Sequence, residues 1–450
     1  MQYLKRAVLY PVVLLFLNAV AFYNVSWRLS VPLRILALIL LSAVFIYYNI
    51  RPAADQRKAL PRREKILVSG YELIVASGFF LAAQIALYIY IYTGLTSQIE
   101  ITNLILVINA IFSAGFISVL LLGGMIRIAA ASKQLGAALR ILMFFVWWLP
   151  GVNVAALFMA CKTVKAEYRF LHRKRLLNEG RKGKGVCGAG YPILMVHGVF
   201  FRDWKYFNYW GRIPKELTDN GARIFYGNHN SALPVEQSAA ELKQRILEIA
   251  RETDSEKVNI IAHSKGGLDA RYAISCLGMD AYVASLTTIN TPHRGTPLAG
   301  KLLELTPEKL VSAVGRQYGK LFTKLGDNNC DFMGSVNGLT PDACDKLNQI
   351  MPDREGVLYQ SVGSQMRAFS SAGPPLNAGY AIIKPLGGDN DGLVCTDSMA
   401  WGNCLGILSP AHKKGISHGD MIDLTRKDIP GFDVCEFYVG LASGLKEKGL

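Results

Sequence analysis

A serine hydroxyl is a weak nucleophile. It needs a base within hydrogen-bond reach, and the base needs a carboxylate to orient it. One serine in this chain sits in a setting suited to that use. Residues 257–272 read KVNIIAHSKGGLDARY. A β-branched run (Val258, Ile260, Ile261) leads into Ala262, His263, Ser264, Lys265, Gly266 and Gly267. A segment with helical spacing follows: Leu268, Ala270, Tyr272, Ala273, Ile274. Strand, sharp turn and helix put Ser264 at an apex, where a strained backbone points the hydroxyl clear of the sheet. The small residues two before and two after it, Ala262 and Gly266, let strand and helix approach closely. A small-x-Ser-x-Gly pattern recurs by chance in many proteins, so the partners must be found elsewhere in the chain.

In sheets that carry such an elbow the chain order is serine, acid, histidine. The histidines after Ser264 are His293, His412 and His418. His293 lies in TPHRG, too soon after the serine, and reads as a structural loop residue. His418, in Ser417-His418-Gly419-Asp420 near the C-terminus, has turn-like flanks and is the better base; His412, in a Pro-Ala-His-Lys-Lys loop, is the alternative. The stretch GGDNDGLV at 387–394 supplies Asp389 and Asp391 for the acid, although such a sequence also makes an ordinary Asp/Gly turn. An oxyanion needs two backbone N–H donors. Lys265, next to the nucleophile, offers one. Val199, after His197-Gly198 at the end of an apolar run, offers the other. This chemistry requires no cofactor.

The elements that must hold these residues alternate in type. Strands are expected at 191–196, 222–226, 258–262, 285–290, 357–362 and near Ile382, with a helix over 234–253 that opens after Pro234. Strands alternating with helical segments imply a mostly parallel sheet flanked by helices. Residues 297–333 carry spaced leucines (Leu302, Leu303, Leu305, Leu310, Leu321, Leu325) that suit either a lid over an acyl site or an ordinary packing helix.

The 450 residues allow two or more domains, and the net charge of +15 is uneven. Residues 1–185 hold 22 Lys/Arg against 6 Asp/Glu, and the rest hold 27 against 28. The basic excess therefore belongs to the apolar N-terminal part, which suits a membrane surface and argues against nucleic acid as a partner. Four apolar stretches without interior charge (8–27, 35–50, 73–95 and 101–126) are each near the roughly 20 residues needed to span a bilayer. The first lacks the cleavage site of a signal peptide. A fifth stretch, 141–160, has Pro150-Gly151 at its centre and would either span or re-enter. Four spans with the fifth not crossing keep the basic residues, including the run from Lys162 to Lys184, on one side. That reading makes the chain a multi-pass protein of a bacterial inner membrane with its catalytic domain in the cytoplasm. The polar residues of the spans are Asn18, Gln84, Asn109, Ser113 and Ser118, with no ionisable residue at depth, so an anchor in contact with membrane lipids is expected rather than a transporter. The eight cysteines form no CxxC pattern. Cys330/Cys344 and Cys395/Cys404 could pair in an oxidising compartment, which would argue for the periplasmic face, or remain thiols. The expected organisation is a transmembrane helical region over 1–160, a basic glycine-rich linker over 161–190 and a catalytic domain over 191–450.

From Tyr191 to about Leu424 the sequence resembles the bacterial triacylglycerol lipases of the α/β-hydrolase superfamily. The matching stretches are YPILMVHG, the tract through WGRIPKELTDNGARIFY, KVNIIAHSKGGLDARY, TTINTPHRGTPLA, NDGLV and SHGDMID, in the family's order. The resemblance implies an α/β-hydrolase fold with Ser264 as nucleophile, Asp391 as acid, His418 as base and Val199 as an oxyanion donor. Relatives often hold a structural calcium through an aspartate two after the histidine, which corresponds to Asp420. The resemblance does not extend to residues 1–190. Together these readings point to a membrane-anchored serine lipase or esterase acting on lipid acyl esters through an acyl-enzyme. The rivals are a lipid acyltransferase and a non-catalytic binding protein with a hydrolase-like domain.

Overall fold

The computed structural model of the chain describes residues 2–52, 60–93, 102–145, 149–199, 208–305, 331–410, 414–429 and 431–450. The chain divides into two compact units, Met1–Leu176 and Leu177–Leu450.

The first unit is helical: α1 (Gln2–Leu17), α2 (Ala19–Val25), α3 (Val31–Ile50), α4 (Arg62–Tyr92), α5 (Asn103–Ala131), α6 (Ala137–Phe145) and α7 (Pro150–Arg181), the last running on into the second unit. Three of these, α3, α4 and α5, are long and apolar enough to cross a membrane. Many of their large apolar side chains point outward, among them Ile39, Ile85 and Ile111, as expected where the solvent is lipid rather than water. The stretch 8–27 is not one straight span. It breaks at Asn18 into α1 and α2, bent by 75°. Asn18 caps back onto the Leu14 carbonyl at 2.9 Å and accepts from Asn109 Nδ2, also at 2.9 Å. Polar groups in an apolar bundle thus find one another, as they must where no water serves them. α4 and α5 cross at Gly70 and Gly124, where a Cβ on either would lie within 2.8 Å of the facing helix.

Two sequence expectations change here. α4 starts at Arg62, well before residue 73, so Glu72 lies within the helix. It is buried there and accepts from Arg6 Nε and Tyr10 Oη at 2.9 Å each, the pairing that makes a buried charge tolerable. The stretch 141–160 is divided between the end of α6 and the start of α7, which stays helical through the basic segment to Arg181.

The second unit carries a six-stranded, all-parallel sheet in the order β2-β1-β3-β4-β5-β6. The strands are β1 (Ile193–Val196), β2 (Ile224–Tyr226), β3 (Val258–His263), β4 (Val283–Ile289), β5 (Leu358–Ser364) and β6 (Asn403–Leu408). In chain order its helices are α8 (Ile213–Asp219), α9 (Val235–Thr253), α10 (Lys265–Cys276), α11 (Pro297–Leu305), α12 (Phe332–Asn337), α13 (Pro341–Ile350), α14 (Leu376–Gly387), α15 (Thr396–Met399) and α16 (Val434–Glu447). β1 shows why its strand is a continuous apolar run. Ile193 and Met195 pack with α8 and α16 on one face. Leu194 and Val196 pack with α9 and α10 on the other. A strand covered on both faces has no polar side to show. The run near Ile382 is helical, within α14, and the sixth strand is β6 instead.

Cys344, Cys395 and Cys404 are free thiols, so the pairing of Cys395 with Cys404 does not occur. Cys330 lies outside the described residues. α11 covers the first part of the leucine-spaced segment and packs its Leu298 against Ile383 of α14 and Cys395. Leu310, Leu321 and Leu325 lie outside the described residues.

Candidate active site

Ser264 joins β3 to α10 with φ 56° and ψ −134°. A non-glycine residue held at such angles costs about 1–3 kcal/mol and persists only where its surroundings impose it. The Ser264 N–H donates to the Ile289 carbonyl at 2.9 Å, which ties the elbow to the end of β4. The two glycines after it are steric necessities. A Cβ at Gly266 would lie 2.4 Å from the His197 carbonyl oxygen, and one at Gly267 would lie 2.1 Å from Thr291 Oγ1. The side chain of Lys265 is buried behind the elbow, its Nζ 2.7 Å from Asp269 Oδ1 and donating to Ser238 Oγ at 2.9 Å. That ion pair fixes the first turn of α10, which presents the Lys265 backbone N–H.

Asp391 sits in the turn between α14 and α15, fully buried. Its Oδ1 accepts from the backbone N–H groups of Leu393 and Val394 at 2.9 and 2.8 Å. Its Oδ2 accepts from Asn290 Nδ2 at 2.7 Å and meets His418 Nδ1 at 2.6 Å. Four such partners satisfy both oxygens of a buried carboxyl group. The His418 N–H also donates to the Asp391 carbonyl at 2.9 Å, so the two turns are tied by backbone as well as side chain. Asp389, the other acid of the turn, is half-exposed and pairs with Lys384. His412 lies outside the described residues. His293 is remote in role: its Nε2 meets Thr288 Oγ1 at 3.0 Å and its ring stacks on Trp401. Burial, together with the charges of Arg271 and Arg294, holds its pKa well below the usual histidine range.

The His418 ring stands 4.4 Å, centroid to centroid, from that of His263, the last residue before the serine. No hydrogen bond joins Ser264 to His418 among the described residues. Such bonds are often long before substrate closes the site. Gly198 lies against the nucleophile, since a Cβ there would come 2.8 Å from Ser264 Cβ. Val199, half-buried, follows it.

Two residues that sequence reasoning did not single out hold this arrangement. Asn290 at the end of β4 donates to Asp391 and to Ser364 Oγ. Tyr209 Oη accepts from the Gly198 N–H at 3.0 Å and lies 2.6 Å from His263 Nδ1. Burial, and then the nearby His418, push the His263 pKa well below its usual value, so His263 is neutral and pairs with the phenol through Nδ1. Tyr209 directly precedes the WGRIP tract, but only the fold shows which loop its hydroxyl reaches. Removing that hydroxyl with Tyr209→Phe strips Gly198 of its acceptor in a dry site, at a cost of about 1–3 kcal/mol. The expected result is a lower thermal midpoint and a fall of about tenfold in kcat on a soluble ester, if the loop bearing Val199 shifts as its anchor goes.

Asp420 does not meet the needs of calcium. Its Oδ2 is taken by Ser417, whose N–H and Oγ donate at 2.9 and 2.7 Å. The neighbouring Asp423 has both oxygens engaged by Arg212. Calcium asks for six to eight oxygen ligands, and among the described residues no group of three or more His, Cys, Asp or Glu could hold a metal ion.

Known proteins are similar to this chain over about half its length. No protein-family model matches the chain. A triacylglycerol lipase of Vibrio cholerae is 30% identical over 250 residues, covering 49% of this chain and 78% of the relative. Triacylglycerol lipase 2 of Saccharomyces cerevisiae is 28% identical over 272 residues, covering 55% of this chain and 77% of that protein. Among solved structures, mature Bacillus licheniformis lipase BlEst2 is similar at 24% identity with a TM-score of 0.40, over 52% of this chain and 88% of that one. With most of the Vibrio cholerae lipase aligned at that identity, and with a parallel sheet that turns into its helix at a strained serine, the chain belongs to the triacylglycerol lipase family of the α/β-hydrolase superfamily.

Proposed function

We propose that this protein is a membrane-anchored serine hydrolase that cleaves acyl esters of lipids through an acyl-enzyme. The observation that carries the reading is the 2.6 Å contact between His418 Nδ1 and the buried Asp391 carboxylate, at the end of the strand that leads into Ser264. Asp391 fixes the Nδ1–H tautomer, which leaves His418 Nε2 free to accept the Ser264 proton as Oγ attacks the acyl carbonyl. The N–H groups of Lys265 and Val199 receive the oxyanion. His418 then protonates the departing alcohol, and a water activated the same way releases the fatty acid. The apolar helices α3, α4 and α5 support an anchor that holds the catalytic unit beside its substrate and raises its effective concentration there. The relatives' names favour acylglycerols as substrates, and a membrane location favours phospholipids as well. The basic run from Lys162 to Lys184 favours the cytoplasmic side for the catalytic unit.

The test uses full-length protein in detergent micelles containing either a triacylglycerol or a phosphatidylglycerol, with excess glycerol in a parallel sample. Release of free fatty acid by the wild type and not by Ser264→Ala is the expected result. Acyl-glycerol formed in place of free fatty acid would turn the reading to acyl transfer. No release from any ester, and no labelling by a fluorophosphonate, would leave the binding-protein alternative.

A further inference from the structure

The turn that bears His418 is a self-contained loop. Ser417 and Asp420 bond to each other, the Asp423 N–H donates to the Asp420 carbonyl at 3.1 Å, and the Leu424 N–H returns to the Gly419 carbonyl at 3.0 Å. Beyond its ties to Asp391 and the bond from Tyr438 Oη to the Met421 carbonyl at 3.0 Å, the loop is fastened to the body of the unit at its far end. Its far end is Asp423, buried and in the left-handed conformation at φ 56°. Arg212, just ahead of α8, grips it. Arg212 Nε donates to Asp423 Oδ2 and Nη2 to Oδ1, each at 2.8 Å, and the Arg212 backbone N–H adds a third bond at 2.8 Å. Nη1 extends to Asp428 Oδ1 at 2.8 Å. Gly211 permits this approach, since a Cβ there would lie 2.5 Å from the Asp423 carbonyl oxygen. Burial opposes a charge on Arg212, but the hydrogen bonds it donates to both aspartates outweigh that and raise its pKa.

We infer that Arg212 is a positioning residue that clamps the His418 loop through Asp423 and Asp428, taking the place of a structural calcium in this chain. A planar fork matches one carboxylate on two points and still reaches a second, which satisfies both acids without recruiting a dication. The same short segment carries Tyr209 three residues earlier, on Gly198 and His263. Residues 209–212 therefore fasten the oxyanion side and the base side of the site together. The inference rests on the catalytic role proposed for His418.

The test uses full-length protein in detergent. Wild type is exchanged into EGTA and then supplied with calcium, and the thermal midpoint and kcat on a soluble short-chain ester are read in each state. Neither should move. Arg212→Ala should lower kcat about 10- to 100-fold through a displaced base, with KM within about twofold of wild type. Arg212→Lys should fall between the two, and millimolar guanidinium should restore part of the alanine variant's rate. Asp428→Asn, which removes one outer bond and keeps the Asp423 pair, should show a smaller loss of the same kind. The inference is overturned if the chelator lowers the wild-type midpoint and calcium restores it. It is equally overturned if folded Arg212→Ala turns over at the wild-type rate. Should the wild type hydrolyse no ester, the Ser264 reading fails by itself. The response of the midpoint to chelator and to Arg212→Ala would still decide whether the guanidinium fastens the loop.

Discussion

Ser264→Ala should abolish ester hydrolysis, with kcat falling about 10⁴- to 10⁶-fold, while the folded unit survives. The hydroxyl has no structural duty to lose: the Ser264 side chain does not cap α10. The elbow is held by other means, the Ser264 N–H bond to Ile289, the bond from Thr291 Oγ1 to the Ser264 carbonyl at 2.8 Å and the close packing at Gly266 and Gly267. Alanine removes one oxygen and keeps the Cβ that sits against Gly198. Its thermal midpoint should therefore stay within a few degrees of wild type, because the change opens no large cavity, strands no partner and loses no cap, the usual sources of large destabilisation. Both readings are needed. Lost turnover with an unchanged midpoint isolates the nucleophile. A variant that keeps more than about a tenth of the wild-type rate would show that another group attacks the ester.

The sequence made some of this plain and concealed the rest, for reasons that differ by residue. The elbow was legible because backbone strain, a strand and two glycines must occur together there, and they are contiguous in the chain. The strands β1, β3, β4 and β5 were legible as apolar, β-branched runs. β6 was not: it is an edge strand, NCLGIL, with outward-facing residues and a glycine at φ 123°. The Ile382-Ile383 pair suggested a strand, yet it lies on α14, where Ile383 is buried and Ile382 only partly so. Two adjacent apolar residues do not tell a period of 2 from one of 3.6. Hydropathy likewise showed a stretch over 8–27 but not its break at Asn18, where the side chain bonds to Asn109, 91 residues away. Tyr209, Asn290 and Arg212 share that limit. Each acts across a long sequence separation on a backbone N–H or a carboxylate. No local pattern marks a tyrosine whose hydroxyl reaches Gly198 or an arginine that grips Asp423.

Asp391→Asn should lower kcat by about 10⁴-fold, and the reason lies in how the turn would hold an amide. The N–H groups of Leu393 and Val394 both point at Oδ1, so an asparagine here must keep its carbonyl oxygen on that side. Its NH₂ then faces His418 Nδ1. A nitrogen opposite a donor must accept, so the His418 proton moves to Nε2. In that tautomer the ring can no longer take the proton of Ser264. The NH₂ also confronts Asn290 Nδ2, which now donates to Asp391, so the Asn290 amide must rotate or lose its partner. A buried donor left unpaired costs about 1–3 kcal/mol, and the thermal midpoint should fall modestly. KM on a soluble ester should hardly change, since binding does not involve the buried acid. Asp389→Asn is the control: that carboxylate is exposed beside Lys384, where an ion pair contributes about 0–1 kcal/mol, and its rate should match wild type. If the two variants exchanged these outcomes, the acid of the site would be Asp389 and the Asp391–His418 bond would be structural. If Asp391→Asn retained full activity beside an inactive Ser264→Ala, His418 would not be the base that activates the serine.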